Sequence, residues 1–181
     1  LHDLLSLAEK EQTTLSDIVV RHEVESSEVV EEKVRAMMDS RLDVFQESID
    51  AGMSDPGKSV SGLVGGDAHK LAESTPTLLG PLAHKAAIYA LAVSEANAKM
   101  FKIVACPTAG SCGIVPAVMM AAAETLDVSR EAMVNALFIA SGIGAVVSHN
   151  ATVAGAVGGC QAECGTARSE EHTSELQSLS D

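Results

Sequence analysis

Aromatic side chains are nearly missing from this sequence: 181 residues hold no tryptophan, one tyrosine and three phenylalanines. That argues against a β-sandwich, whose strands lean on aromatic and β-branched residues. Hydrophobic residues still make up 46%, so a core is built from Ala, Val, Leu, Ile and Met, in one domain or one domain with an appendage. The expected fold class is all-α, mainly helical with glycine-rich loops between helices. Positive charge is also scarce, with 12 Lys and Arg against 25 Asp and Glu and a net charge of −13. Such a surface repels phosphate backbones and shows no basic patch, which excludes nucleic acid as a partner.

Charge of either sign is absent between residues 132 and 162. The run is long enough to raise a membrane span. Asn135, Ser141, His149, Asn150 and many glycines inside it favour two helices buried in protein, apolar all round, and no membrane. An export signal is also lacking, since the opening LHDLLSLAEKEQ is short, amphipathic and acidic. A reducing, cytoplasmic setting follows, in which Cys106, Cys112, Cys160 and Cys164 serve metal binding, catalysis or simple burial rather than cross-linking.

Helical spacing predicts a short helix over 3–10 and a second that Thr14 to Ser16 can cap. A long amphipathic helix with an acidic outer face is expected from Glu28 to about Ala51, on the apolar positions Val30, Val34, Met37, Met38, Leu42, Val44, Phe45 and Ile49. Gly and Pro rule out regular structure for much of 52–69, which serves as a linker or as a backbone cradle for an anion. Further helices are expected over 81–100, with Pro81 in the first turn, from about Val115, and over 129–147, where Gly142 and Gly144 allow close helix approach. The turn PTAGS, residues 107–111, has the composition of an anion nest: Thr108, Ser111 and free backbone N–H groups ahead of a helix.

Cys160 and Cys164 share one face if helical, and Gly158-Gly159 ahead of them places Cys160 near a helix start, where the dipole favours the thiolate. A thiolate is what iron or zinc requires, although the same pair also reads as small core residues. His149 reads as a core histidine, and Asn150 as a buried amide able to grip a carboxylate or an amine.

Three stretches in series, SGLVGGDAHK at 61–70, ACPTAGSCGIVP at 105–116 and HNATVAGAVGGCQAECG at 149–165, resemble the α subunit, or catalytic domain, of the bacterial iron–sulfur L-serine dehydratases. The likeness runs over about residues 1–167. It implies a carbon–nitrogen lyase that converts L-serine to pyruvate and ammonia. The cofactor implied is a 4Fe–4S cluster held by three cysteines, whose open iron acts as a Lewis acid on the serine. It also implies a β subunit or domain as partner, and an oligomer. By motif, Cys160 is the cluster ligand; Ser61, Thr108, Ser111 and Asn150 are substrate or cluster-shell residues; Cys106, Cys112 and Cys164 match no family ligand; the base is unassigned. A cluster-dependent L-cysteine desulfidase and a non-catalytic helical module that grips a small anion are the alternatives.

The sequence departs from the family's pattern near its end. The segment resembling CDPVAG…VPC that carries the other two cluster cysteines has no counterpart. Instead RSEEHTSELQS, residues 168–178, looks like the translation of a sequencing-library adapter. The expectation is a fragment of the catalytic domain over 1–167, starting without Met at Leu1, followed by a non-native, disordered tail over 168–181, and unable alone to hold a stable cluster.

Overall fold

In the computed structural model, residues 2–76 and 78–178 are described, with the backbone alone for Gly155 and 170–178. The described residues form helices and no strands, as the scarcity of strand-forming aromatics implies. The order is α1 (His2–Glu11), α2 (Leu15–Ser27), α3 (Glu31–Ser54), α4 (Asp67–Ala72), α5 (Pro81–Ala98), α6 (Ile114–Leu126), α7 (Arg130–Asn150), α8 (Gly155–Gly158) and α9 (Cys160–Ser178), with a 3-10 turn at Ala109–Ser111 before α6.

Local chemistry sets most boundaries. Thr14 caps α2 by accepting from the Asp17 N–H at 3.2 Å, and Ser129 caps α7 by accepting from the Ala132 N–H at 3.2 Å. Pro81 sits in the first turn of α5. α3 starts later than its periodicity suggests. Glu28 is taken as the left-handed cap of α2, at φ 57°, and Val30 is extended ahead of Glu31.

The main core joins α2, α3, α6 and α7 through Val20, Val34, Leu42, Phe45, Val115, Met119, Leu137 and Phe138. Phe45 and Phe138 are fully enclosed, so two of the three phenylalanines sit at its centre. Truncating either to alanine costs about 3–5 kcal/mol. A second cluster, Ile49, Val93 and Cys112, packs α5 between α3 and α6. Small residues make this possible: a Cβ at Gly52 of α3 would collide with the Ala92 carbonyl of α5. Arg35 of α3 ties three helices, donating to Glu31 Oε1 at 2.7 Å, Asp17 Oδ1 at 3.0 Å and Asn135 Oδ1 at 3.2 Å, with its guanidinium over Phe138. Arg130 joins α7 to Asp39 and Asp43 of α3.

Two described segments are long and apolar enough to cross a membrane, Ala109–Leu126 and Arg130–Asn150, and half of each is buried inside the protein. The expectation of two buried helices across 132–162 needs correction. α7 is buried over 136–140 and 142–144, but Ser141, Ala145, Ser148, His149 and Asn150 are exposed, and so are most of 151–161. Val157 is 78% exposed. Hydropathy marks what would gain from burial, whereas burial also needs a packing partner, and α8 is a single turn beyond the last core residue of α7. The backbone of α9 runs helical across residue 167 to Ser178; residues 179–181 of the expected tail lie outside the described residues.

Candidate functional site

The glycine-rich segment after α3 is ordered by its own turn and by α5. Ser59 is buried; its N–H donates to the Val64 carbonyl at 2.7 Å, and its hydroxyl meets Ser61 Oγ at 3.0 Å. Ser61 is exposed and accepts from the Leu63 N–H at 3.4 Å. Gly65 and Gly66 follow at φ 132° and 84°, backbone that side-chain-bearing residues rarely adopt. They aim three consecutive N–H groups, of Gly66, Asp67 and Ala68, at one carboxylate. That carboxylate is Glu95 of α5, only 2% exposed, accepting at 2.8, 2.6 and 3.0 Å. The segment is thus a backbone cradle rather than a plain linker, the two readings its composition left open, and the anion in it is the protein's own.

The same end of α5 holds the PTAGS turn. Asn97 Nδ2 donates to the Ala109 carbonyl at 3.0 Å. Lys99, nearly buried, pairs with Asp55 at 3.3 Å where the glycine segment begins. Residues 95–99 therefore anchor two of the three motifs. The turn itself follows a cis Cys106–Pro107 bond. Ser111 is buried and its hydroxyl donates to the Cys106 carbonyl at 2.8 Å, so it closes the turn from inside. Thr108 is half-buried and donates through Oγ1 to Glu163 Oε1 at 2.9 Å.

Glu163 brings in the third motif. It lies three residues after Cys160, in the first turn of α9, and its carboxylate lies over Gly110, 2.8 Å from where a Cβ would stand. Gly110 is the residue that lets the carboxylate reach Thr108. Cys160 is the first residue of α9 and is exposed. Its Sγ is 3.6 Å from that of Cys164, one helical turn on. The Cys164 thiol is held above its ordinary value, first by its hydrogen bond with Cys160, then by partial burial and the neighbouring Cys160 and Glu163 charges.

Of the residues singled out in the sequence, Thr108 and Ser111 share the turn, and α9 reaches it through Glu163, three residues after Cys160. Ser61 makes its hydrogen bonds within its own turn. Asn150 is exposed rather than buried, with Nδ2 donating to the Val146 carbonyl at 2.7 Å in the last turn of α7; His149 is exposed too. Cys106 and Cys112 are buried in separate core clusters, and burial pushes the Cys112 thiol up. Glu95, Asn97 and Glu163 were missed. For Glu95 and Asn97 the signal is a charge or amide on an alanine-rich helix, Glu95 falling among the buried Ala92, Val93 and Ala96; for Glu163 it is the first charge after the uncharged run.

The thiols are the available metal donors. No disulfide joins the four cysteines. No group of three or more His, Cys, Asp or Glu able to hold a metal occurs among the described residues. A 4Fe–4S cluster takes its irons through several thiolates, so the donors among the described residues do not by themselves fit a complete cluster.

A family model described as serine dehydratase alpha chain matches residues 10–170. The chain is 40% identical over 168 residues to a probable L-serine dehydratase, alpha chain, from Bacillus subtilis (strain 168), covering 91% of this chain and 56% of that protein. It is 36% identical over 168 residues to the L-serine dehydratase, alpha chain, of Peptoniphilus asaccharolyticus, covering 91% and 58%. A probable L-serine dehydratase, alpha chain, from Latilactobacillus sakei is 47% identical over 78 residues, covering 43% and 37%. The chain spans a little over half the length of the first two relatives.

Proposed function

The chain belongs to the serine dehydratase alpha-chain family, and from that premise we propose that its parent is a cytoplasmic L-serine ammonia-lyase, forming pyruvate and ammonia from L-serine. The observation that carries this reading is the meeting of the PTAGS turn with the first turn of α9, the helix that Cys160 opens, through Thr108 and Glu163. In this reading Cys160 is one ligand of a 4Fe–4S cluster whose other ligands lie outside this sequence. When bound, the cluster supplies a Lewis-acidic iron.

The chain's own residues hold and orient. Thr108, with Ser61 and Asn150, offers hydroxyl and amide groups to the substrate's carboxylate and amine; Ser111 shapes the turn from the core side. Glu163 fixes the orientation of Thr108 relative to the cysteine helix. A β subunit or domain completes the site, in an oligomer, which the alpha-chain names of the relatives support. The family match runs to residue 170; we propose a native fragment over 1–167 and a foreign tail over 168–181, on the resemblance of RSEEHTSELQS to a translated adapter. Resequencing the source DNA across codon 167 tests that boundary: a frame continuing into two further cysteines agrees with it, and RSEEHTSELQS followed by a genomic stop codon refutes it.

Anaerobic reconstitution of the 181-residue chain with iron and sulfide gives substoichiometric cluster and no pyruvate. Stoichiometric cluster with serine turnover would contradict the ligand assignment. In a chain completed to the length of its relatives, Cys160→Ser abolishes cluster and activity and Cys164→Ser keeps both. Turnover of L-cysteine in preference to L-serine would replace the lyase proposed here with a desulfidase.

A further inference from the structure

We propose that this chain binds a small aliphatic monocarboxylate in a cavity between α3, α7 and the segment 104–107, with Arg41 as its anchor. The cavity measures about 250 Å³. Its floor is core: Cys106, Val115, Leu137 and Ala140 line it and each is less than a tenth exposed. A second cavity of about 210 Å³ adjoins it and shares Met38, Arg41 and Ser141. Arg41 is the only charged residue in the lining of the first, among the described residues. It is exposed, so the charge stands where the apolar floor opens to solvent. The chain has 25 acidic residues against 12 basic ones. Arg21, Arg35 and Arg130 each hold a carboxylate, yet Arg41 makes no ion pair or hydrogen bond among the described residues.

An apolar cavity with one orienting polar group is the usual form of a small-molecule site. A guanidinium matches a carboxylate with two parallel N–H donors, which fixes the head of the ligand. The floor offers no hydroxyl or amide side chain. A polar tail there would lose its water without a partner, so the tail is hydrocarbon, and L-serine does not fit. Glu23 lines the second cavity and repels a second carboxylate, so the ligand is a monoacid. The volume falls just below the roughly 300–1,000 Å³ of drug-sized sites, which suits a short acid rather than a nucleotide. Cys106 and Pro107 form one wall and lead into the PTAGS turn, and the Ser111 hydroxyl donates to the Cys106 carbonyl at 2.8 Å. An occupant therefore bears on the turn that carries Thr108. The site needs only this chain's cavity, so it stands or falls independently of the lyase reading.

The test is a titration of the 181-residue chain with sodium 4-methylpentanoate, followed by amide NMR against sodium chloride at equal ionic strength. The expected result is a saturable one-site shift confined to the amides of 104–106 and 137–144. 3-Methylbutanoate, one methylene shorter, binds about fourfold more weakly, and the dicarboxylate glutarate does not saturate. Arg41→Gln weakens binding about tenfold or more while keeping the parent's circular dichroism. Ser141→Leu, at an exposed position bordering both cavities, fills the mouth and abolishes binding. Arg21→Gln, which changes the net charge equally, leaves it unchanged. Three results overturn the proposal: no saturable shift in the parent chain, equal affinity in Arg41→Gln, or loss of binding in a chain completed to the length of its relatives, which would give the cavity to the rest of the α chain.

Discussion

Replacing Glu95 with alanine strands the three backbone donors of Gly66, Asp67 and Ala68. Each hydrogen bond to a charged acceptor contributes about 1.5–3 kcal/mol. Their simple sum overstates the loss, because burying the carboxylate itself costs several kcal/mol and water enters the space that alanine leaves. A net loss of about 3 kcal/mol remains, a large share of the roughly 5–15 kcal/mol that holds a domain folded. Glu95→Gln keeps one oxygen but turns an amide N–H₂ toward a backbone donor, costing about 1–2 kcal/mol. Urea unfolding followed by circular dichroism reads both values from the midpoint at unchanged slope. Amide exchange locates the effect: the amides of residues 66–68 lose protection in Glu95→Ala, ahead of those in α3. A Glu95→Ala chain within about 0.5 kcal/mol of the parent, with those amides still slow, would refute the idea that this carboxylate organises the glycine segment.

Tyr89, the chain's single tyrosine, is pushed up to about 12 by burial and by its hydrogen bonds to Glu124, at 3.0 and 2.8 Å. Ultraviolet titration of the phenol gives a midpoint near there, and Glu124→Gln moves it down without restoring the ordinary value, since burial is the larger cause. The neutral phenol is the favoured form, so its stabilising contribution is complete below the unfolded value of about 10 and lost as pH rises through the folded one. At the acid end, Asp17 is held below the usual carboxylate range, chiefly by the Thr14 hydroxyl and also by Thr13 and Arg35. Its contribution is present above the unfolded value and lost as pH falls through the folded one, so Thr14→Ala flattens the fall in thermal midpoint below about pH 4. Gly110→Ala costs about 1–2 kcal/mol by forcing Glu163 off Thr108, and in a Glu163→Ala background, where that bond is already gone, the same substitution costs almost nothing, a non-additivity read by thermal unfolding.

Of the helices from α1 to α7, all but the short α4 (Asp67–Ala72) were legible in the sequence, because their signals are local. Thr14, Pro81 and Ser129 act within a turn of the ends they mark, and the 3.6-residue period finds the buried Val34, Leu42, Val44, Phe45 and Ile49 of α3, while Val30 and Met37 of the same pattern are exposed. The fate of the uncharged run was not legible. α7 packs on α2 as far as Val147, through Leu15 with Ile139 and Ile143, but His149 and Asn150 project past that contact into solvent, and hydropathy cannot show where a packing partner ends. The motifs were visible as glycine-rich loops, whereas what fills and fastens them was not. Glu95 reaches its donors across 27–29 residues of chain, and Thr108 meets Glu163 across 55. Such pairings leave no periodic trace, only a charge where the helix is otherwise apolar. Cys160 was identified by motif and its proximity to Cys164 by helical spacing, and the structure adds the distance between their sulfurs.

The most direct test of the central claim is serine-dependent pyruvate formation by the α chain completed to the length of its relatives, with its β partner, after anaerobic reconstitution with iron and sulfide. Wild type is compared with Cys160→Ser. The account predicts pyruvate from the wild type and loss of both pyruvate and bound cluster in the variant. Serine turnover that survives Cys160→Ser, or a fully loaded wild type that forms no pyruvate, would contradict it.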